Sequence, residues 1–503
     1  MKAGNGWPAG NRMEQSEETV NRISGDFGYG FATVEDPVWT LSQVMLATGG
    51  RFVSGRSDLR FRCVSTDTRA IGTGDLFLAL SGERFDGHDF LHDAVRQGAA
   101  GVIVSRLQEP LPPVTVILVE DCLQALGNLA AYRRSLLPHL QVLAITGSSG
   151  KTTVKEMTAA ILGQQHRVLK THGNFNNLVG LPLSLLPVSY RHDVAVLEMG
   201  MNNPGEIARL TEIADPDVAC ITNVQEAHLA GLESIEGVAR AKGELFAGLK
   251  SWGKLVVNQD DKRIRALARR CPQEKITFGC SPQAMIRATH IRNCGEEGMA
   301  FTLHLDSEKT RVRLKVFGRH NVLNSLAAAS LAYGAGLRLP EIAAGLSAFE
   351  SYDKRLQVQE VEGLKVINDT YNANPASVLA ALESLQGLSG NRHSVVALGD
   401  MLELGTQSVA AHRFVGETVA RLGFDFLFTV GEFAQTVAEA ARKAGMSGER
   451  VKRFADKGQL AAHLRRIRQE GALAAGDWVL IKGSRGMQME RIITELKTDN
   501  EAH

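Results

Sequence analysis

No Cys-x-x-Cys pair occurs among the six cysteines, Cys63, Cys122, Cys220, Cys271, Cys280 and Cys294. A chain this long has core enough to do without disulfide staples, so reduced thiols in a cytoplasmic protein are expected. Long apolar runs are missing too. The longest stretches, such as Leu178 to Leu186, are short and broken by glycine or proline, whereas a membrane span needs about 20 apolar residues; a soluble protein with no membrane span follows. Neither sign of charge dominates: 56 Lys and Arg stand against 55 Asp and Glu, for a net charge of +1. With charges mixed along the chain there is no basic field to hold nucleic acid non-specifically. Short-period repeats and low-complexity tracts are absent. Residues 1–37 are polar and carry no apolar core run, so they do not read as a secretory signal; they read as a disordered extension or a misassigned start.

What is present is length and rhythm. At roughly 150 residues per domain, 503 residues make about three domains. From Trp39 on, short β-branched runs alternate with turns and longer helical periods, which predicts βα units and parallel sheets under helices. The first block, 38–139, carries strand candidates at Asp75 to Leu80, Gly101 to Ser105 and Val114 to Val119, with a linker around Ser135 to His139. The second, 140–350, opens with Gln141 to Ile145 and continues through Val194 to Glu198, Val218 to Thr222 and Lys254 to Asn258. Within it Met299 to Leu305 and Thr310 to Val316 alternate apolar with polar residues around a polar turn, the pattern of an antiparallel hairpin on a sheet edge. The third, 351–503, repeats the rhythm at Lys365 to Asn368, Ser394 to Leu398, Phe426 to Val430 and Trp478 to Ile481.

The sharpest local signal is a strand entering Gly147-Ser148-Ser149-Gly150 and then a helix from about Lys151 through Thr152 and Thr153. Two glycines let the backbone curl its N–H groups into a nest at the positive end of a helix, where a polyphosphate is stabilised. Lys151 adds a point charge for the terminal phosphates, and the Thr152 hydroxyl can ligate the magnesium that accompanies ATP. The usual pattern has its first glycine five positions before Gly150, where this chain has Ile145; the loop is a shorter variant with the same chemistry.

Magnesium needs hard oxygen ligands, and these gather at the C-terminal ends of parallel strands. Glu198 ends one strand; Asn223 and His228 follow another. Read alone, Glu198 is equally a strand-end cap or ion-pair partner. Lys242 shares a helix face with Val238, Leu245 and Phe246. It either snorkels to water or is desolvated, leaving a neutral, nucleophilic amine. Such an amine can add carbon dioxide, and the carbamate would offer an anionic oxygen to a second metal.

These residues resemble the Mur ligases of peptidoglycan synthesis. The resemblance runs from about Trp39 to Lys497 through Ser65-Thr-Asp-Thr-Arg69, Asp86-Gly-His, Thr146-Gly-Ser-Ser-Gly-Lys-Thr-Thr, Gly173-Asn-Phe-Asn-Asn-Leu-Val-Gly-Leu-Pro182, Glu198-Met-Gly-Met-Asn-Asn-Pro-Gly-Glu206 and Ala239-Arg-Ala-Lys-Gly-Glu-Leu-Phe246. It continues in Gly318-Arg-His-Asn-Val-Leu-Asn324, Asp353-Lys-Arg, Asn368-Asp-Thr-Tyr-Asn-Ala-Asn-Pro375 and Lys482-Gly-Ser-Arg-Gly486. It implies an α/β protein of three domains: an N-terminal UDP-sugar-binding domain, a central P-loop ATPase with a parallel sheet, and a C-terminal Rossmann-like domain that closes over the site. It also implies roles. Thr68 would meet the uridine diphosphate end, Lys151 the phosphates, Thr152 and Glu198 one magnesium, and His228 with carbamylated Lys242 the second. Asn321 and Asn324 would read adenine, Arg355 the γ-phosphate and Asp369 the ribose.

The family's diamino-acid-adding branch carries Asp-Asn-Pro-Arg in its third domain; this chain reads Asn372-Ala-Asn-Pro-Ala376, which favours the branch that joins D-alanyl-D-alanine to UDP-N-acetylmuramoyl-tripeptide. The implied chemistry is an ATP-dependent ligation through an acyl phosphate, catalysed by Lys151, Lys242, His228 and Arg355 in a cytoplasmic monomer. The alternatives are an amino-acid-adding Mur ligase, folylpolyglutamate synthase, which lacks the N-terminal module, and a P-loop NTPase that switches partners without making a bond.

Overall fold

A computed structural model describes residues 38–82, 85–225, 234–351 and 354–497. The expectation for residues 1–37 therefore lies outside the described residues, as does that for His228.

In the first block the strands are β1 (Trp39–Thr40), β2 (Arg51–Ser54), β3 (Arg60–Phe61), β4 (Val64–Ser65), β5 (Leu76–Leu78), β6 (Gly101–Val104) and β7 (Thr115–Leu118). Five of them form a sheet in the order β2-β7-β6-β5-β4, parallel except for β2, while β1 and β3 make a separate antiparallel pair. Phe77, Val102, Val104 and Val116 project from one face onto Leu91 and Ala94 of a covering helix.

The second block holds β8 (Gln141–Thr146), β9 (Val168–Lys170), β10 (Val194–Glu198), β11 (Val218–Ile221), β12 (Lys254–Asn258), β13 (Glu274–Gly279), β14 (Ile286–Asn293), β15 (Met299–Leu305) and β16 (Glu308–Leu314). Their sheet runs β16-β15-β14-β13-β12-β11-β8-β10-β9. β10 and β11 are buried along their whole length, as near-continuous apolar strands of a parallel sheet should be. The expected hairpin is β15–β16, with β16 at the sheet edge. Missing from the sequence reading of this block are β9, β13 and β14; β14 pairs antiparallel with β15, so the hairpin is two strands of a three-stranded meander. A register shift between Thr289 and Arg292, with His290 at φ 52°, breaks the alternation that would have marked β14.

The third block holds β17 (Gln357–Val361), β18 (Leu364–Asp369), β19 (Ser394–Leu398), β20 (Phe426–Val430), β21 (Val451–Phe454) and β22 (Trp478–Lys482), ordered β17-β18-β22-β19-β20-β21 and parallel but for β17. The pleat sends Ile367, Val396, Leu427 and Leu480 into one core and Val366, Val395, Phe428 and Val479 into the other.

One large sheet thus falls in each sequence block, with the small β1–β3 pair beside that of the first. The chain also resolves into two compact units with a different division: one comprises residues up to Ala144 with His166–Gly200 and Ala208–Pro216, the other Ile145–Gln165, Met201–Ile207 and everything from Asp217 on. β8 runs through that division. Among the described residues no helix is long and apolar enough to cross a membrane.

Candidate active site

The buried run of β8 delivers the chain to Gly147 (φ 155°) and Gly150 (φ 78°), and the helix Lys151–Leu162 follows at once. Both glycines are obligatory. A Cβ at Gly147 would strike the Thr222 hydroxyl, and one at Gly150 would strike the Asn324 amide in a left-handed backbone besides. Gly150 is the N-cap and offers no side chain to the helix start, which leaves that end suited to an anion.

The loop is held by the segment after β11. Ser148 N donates to Asn223 O (3.1 Å) and Ser149 N to Asn223 Oδ1 (2.9 Å), while Asn223 Nδ2 and Thr222 Oγ1 donate to Ser149 O (3.1 and 2.7 Å). Gln225 N donates to Ser148 Oγ, which donates to Gln225 O, both at 2.9 Å. Two expectations change here. Asn223 is a clamp with both ends of its amide engaged, so it does not serve as a metal ligand, and the amides of Ser148 and Ser149 are taken by it. The loop's offer to a phosphate therefore narrows to the helix start.

Lys151 folds its Nζ back to Gly147 O (2.9 Å). Thr152 is 2% exposed and its Oγ1 accepts from Arg355 Nη2 at 2.8 Å; Thr153, one residue on, is half-buried. The Arg355 guanidinium also lies over the Tyr371 ring, 4.0 Å from its centroid. The fold brings Arg355 to the residue after the phosphate-loop lysine, although 203 residues separate it from Thr152.

Lys242 sits in the helix Ile235–Ala247, capped by Ser234, and is buried with Val238, Leu245 and Phe246. It does not snorkel. Burial first, and the nearby Lys151 ammonium second, push its pKa well below the usual lysine range.

Asn321 and Asn324 lie on the helix Arg319–Gly334, both nearly buried; Asn324 Nδ2 donates to Asn321 Oδ1 (2.9 Å) and Asn321 Nδ2 to Phe317 O (2.7 Å). Asn324 faces Gly150, which puts it at the phosphate loop itself.

Asp369 ends β18. Its Oδ2 is 2.5 Å from Lys482 Nζ, and its Oδ1 accepts from Leu356 N (3.2 Å). Lys482, 2% exposed at the end of β22, also donates to Asn372 O (2.9 Å). Beside this pair stands His320, whose pKa burial pulls down to about 4, Asp369 opposing and Lys482 assisting. The sequence reading assigned no role to Lys482, His320 or Tyr371. A lysine closing the apolar run Trp478 to Ile481 was the available signal, since a buried lysine needs a partner.

Glu198 closes β10 at 2% exposure; Asn176 Nδ2 donates to its Oε1 (2.8 Å) and its N donates to Thr171 Oγ1 (2.9 Å). Asn176 is itself fixed by Gly200 N, which donates to its carbonyl at 2.7 Å. Thr68 opens a 3₁₀ turn capped by Asp67 and is half-exposed. Among the described residues no three His, Cys, Asp or Glu side chains cluster as a ready-made metal site.

Three stretches match models of known domains: residues 60–134 the Mur ligase family catalytic domain, 145–332 the Mur ligase middle domain, and 354–485 the Mur ligase glutamate ligase domain. The UDP-N-acetylmuramoyl-tripeptide--D-alanyl-D-alanine ligase of Escherichia coli (strain K12) is 39% identical over 463 residues, which cover 91% of this chain and 98% of that one. Among solved structures, MurF from Acinetobacter baumannii superposes with a TM-score of 0.84 at 34% identity, covering 92% of this chain and 100% of that one. The MurF ligase of Thermotoga maritima in complex with ADP gives 0.76 at 28% identity, over 87% and 98%.

Proposed function

The chain belongs to the Mur ligase family, and on that premise we propose how its residues divide the reaction. It is an ATP-dependent ligase that adds D-alanyl-D-alanine to UDP-N-acetylmuramoyl-tripeptide in peptidoglycan precursor synthesis. The near full-length match to dipeptide-adding ligases carries that reading.

A carboxylate is a poor electrophile, so it must be activated. The γ-phosphoryl group passes from ATP to the terminal carboxylate of the tripeptide: a P–O bond to the acyl oxygen forms, the one to ADP breaks. The free amine of D-alanyl-D-alanine then attacks the acyl carbon, loses a proton, and inorganic phosphate departs with its electron pair. Lys151 holds phosphoryl oxygens at the loop and Arg355 receives the terminal phosphate; fixed cations stabilise charge there without reorganising. Asn321 and Asn324 are assigned to the adenine side, Asp369 to the ribose and Thr68 to the uridine diphosphate end. Lys482 keeps Asp369 oriented.

Thr152 and Glu198 are assigned one magnesium ion, His228 and carbamylated Lys242 a second. Hydroxyl and carboxylate oxygens on buried side chains suit a hard cation. Magnesium, when bound, neutralises phosphate oxygens. A guanidinium and a metal ion repel on one hydroxyl, so nucleotide binding shifts Arg355 from Thr152 toward the terminal phosphate. The lowered pKa of Lys242 supports the carbamate, because carbon dioxide adds only to the neutral amine. Domain limits of 38–139, 140–350 and 351–503, a cytoplasmic location and a monomeric state complete the proposal; near-neutral charge and the want of a heptad seam support the last.

ADP release should require both the UDP-linked tripeptide and D-alanyl-D-alanine, with a new amide of matching mass. ATP turnover that needs neither and makes no amide would instead mark a nucleotide switch.

A further inference from the structure

We propose that Glu490 is a positioning residue for Arg355: through Lys354 it fixes the bend that aims the guanidinium at the phosphoryl group. The proposal rests on the reading of Arg355 given above and goes beyond it.

Arg355 stands between two non-glycine residues in left-handed backbone, Lys354 at φ 60° and Leu356 at φ 47°. L residues do not hold such a bend unaided. Besides a local one, Lys354 N donating to Gln357 Oε1 at 3.4 Å, three longer-range contacts hold it. Tyr371 N donates to Lys354 O and Leu356 N to Asp369 Oδ1, both at 3.2 Å, so two of the three come from the end of β18. The third comes from elsewhere in the fold: Lys354 Nζ lies 2.8 Å from Glu490 Oε1. Glu490 is the first residue of the helix Glu490–Lys497, where the helix dipole favours a carboxylate.

The ion pair is sheltered, with the Lys354 and Glu490 side chains 13% and 20% exposed, so water and salt screen it less than a surface pair. Arg485 Nη1 reaches the same Oε1 at 2.6 Å. Two cations thus fix the carboxylate, one from the bend and one from the turn before the helix, and Lys354 cannot carry Glu490 along if it moves. Burial alone would raise the Glu490 pKa, but Lys354, its own backbone amide and Arg485 outweigh that and hold it low.

Arginine has four rotatable side-chain bonds, and the Tyr371 ring and Thr152 hydroxyl restrain only its far end. Its Nε is buried without a hydrogen-bond partner among the described residues. Placement of the guanidinium therefore depends on its Cα, which the Lys354 bend sets. A misplacement of about 1 Å at a reacting centre can cost up to about 100-fold in rate.

The test is a double-mutant cycle on the full-length enzyme with ATP, UDP-linked tripeptide and D-alanyl-D-alanine. Glu490→Gln should lower kcat about tenfold, leave KM for the UDP-linked substrate unchanged, and add no further loss to Arg355→Ala. Lys354→Met should reproduce Glu490→Gln, and it answers the question if Glu490→Gln fails to fold. Wild-type kcat in both Glu490→Gln and Lys354→Met, or losses that simply add in the double variant, overturns the proposal while a disabled Arg355→Ala leaves the reading of Arg355 standing. A fully active Arg355→Ala removes that reading and the proposal with it.

Discussion

Lys242 is the residue on which the most chemistry turns. An ammonium is too strongly hydrated to be buried cheaply, and here the side chain is buried and shifted toward the neutral amine. Lys242→Ala should lower ligation roughly 10–100-fold, the range for disturbed metal sites, and formate or acetate in the assay should restore part of it. A fully active variant, or one that short carboxylates never rescue, would remove the carbamate. Of the choice between snorkelling and burial, the helical period could tell only that Lys242 shared an apolar face; what packs over that face is contributed by other elements. Arg355 shows the same division. Its motif marked it as functional, yet its contact with Thr152 and its seat on Tyr371 are products of folding.

Among the elements, the strand–loop–helix at β8 was legible because each part has its own local cause: a buried apolar run, two glycines with positive φ, a helical period. The clamp on that loop was not. Asn223 and Gln225 carry no motif; they matter because β11 stops where it does. Asp261 links this clamp to the next helix. Its Oδ1 caps Lys262–Ala268 by accepting from Arg263 N (2.9 Å) and Ile264 N (3.3 Å), while its Oδ2 accepts from Val224 N (2.9 Å), between the two clamp residues. Asp261→Ala should therefore cost about 1–2 kcal/mol in a urea titration and also raise KM for ATP. An unchanged KM beside lowered stability would mean that the clamp does not need Asp261. The meander β14–β16 illustrates the opposite failure: β15 and β16 alternate cleanly and were found, whereas the irregular register of β14 hid it.

For the whole molecule, acid is the revealing perturbation. His320 and His463 both have pKa values pulled from 6.5 to about 4, chiefly by burial, His463 with Lys452 and Arg466 adding to the effect against Glu470. An imidazole depressed in the folded state binds its proton more readily when unfolded, so its contribution is whole above pH 6.5 and is lost as pH falls toward 4. Melting temperature should drop across that window, and His463→Phe, facing Phe428 and Phe454, should flatten the drop. A melting temperature independent of pH between 6.5 and 4 would contradict this. The three βα blocks, the phosphate loop and the family's chemistry could be read from residues in order, because hydrophobic period, turn glycines and motif spacing act over a few neighbours. The pairing of Lys482 with Asp369, the engagement of both ends of the Asn223 amide and the bend that presents Arg355 could not, because each joins groups 74 to 136 residues apart, and such distances close only when sheets order their strands and bury what lies between them.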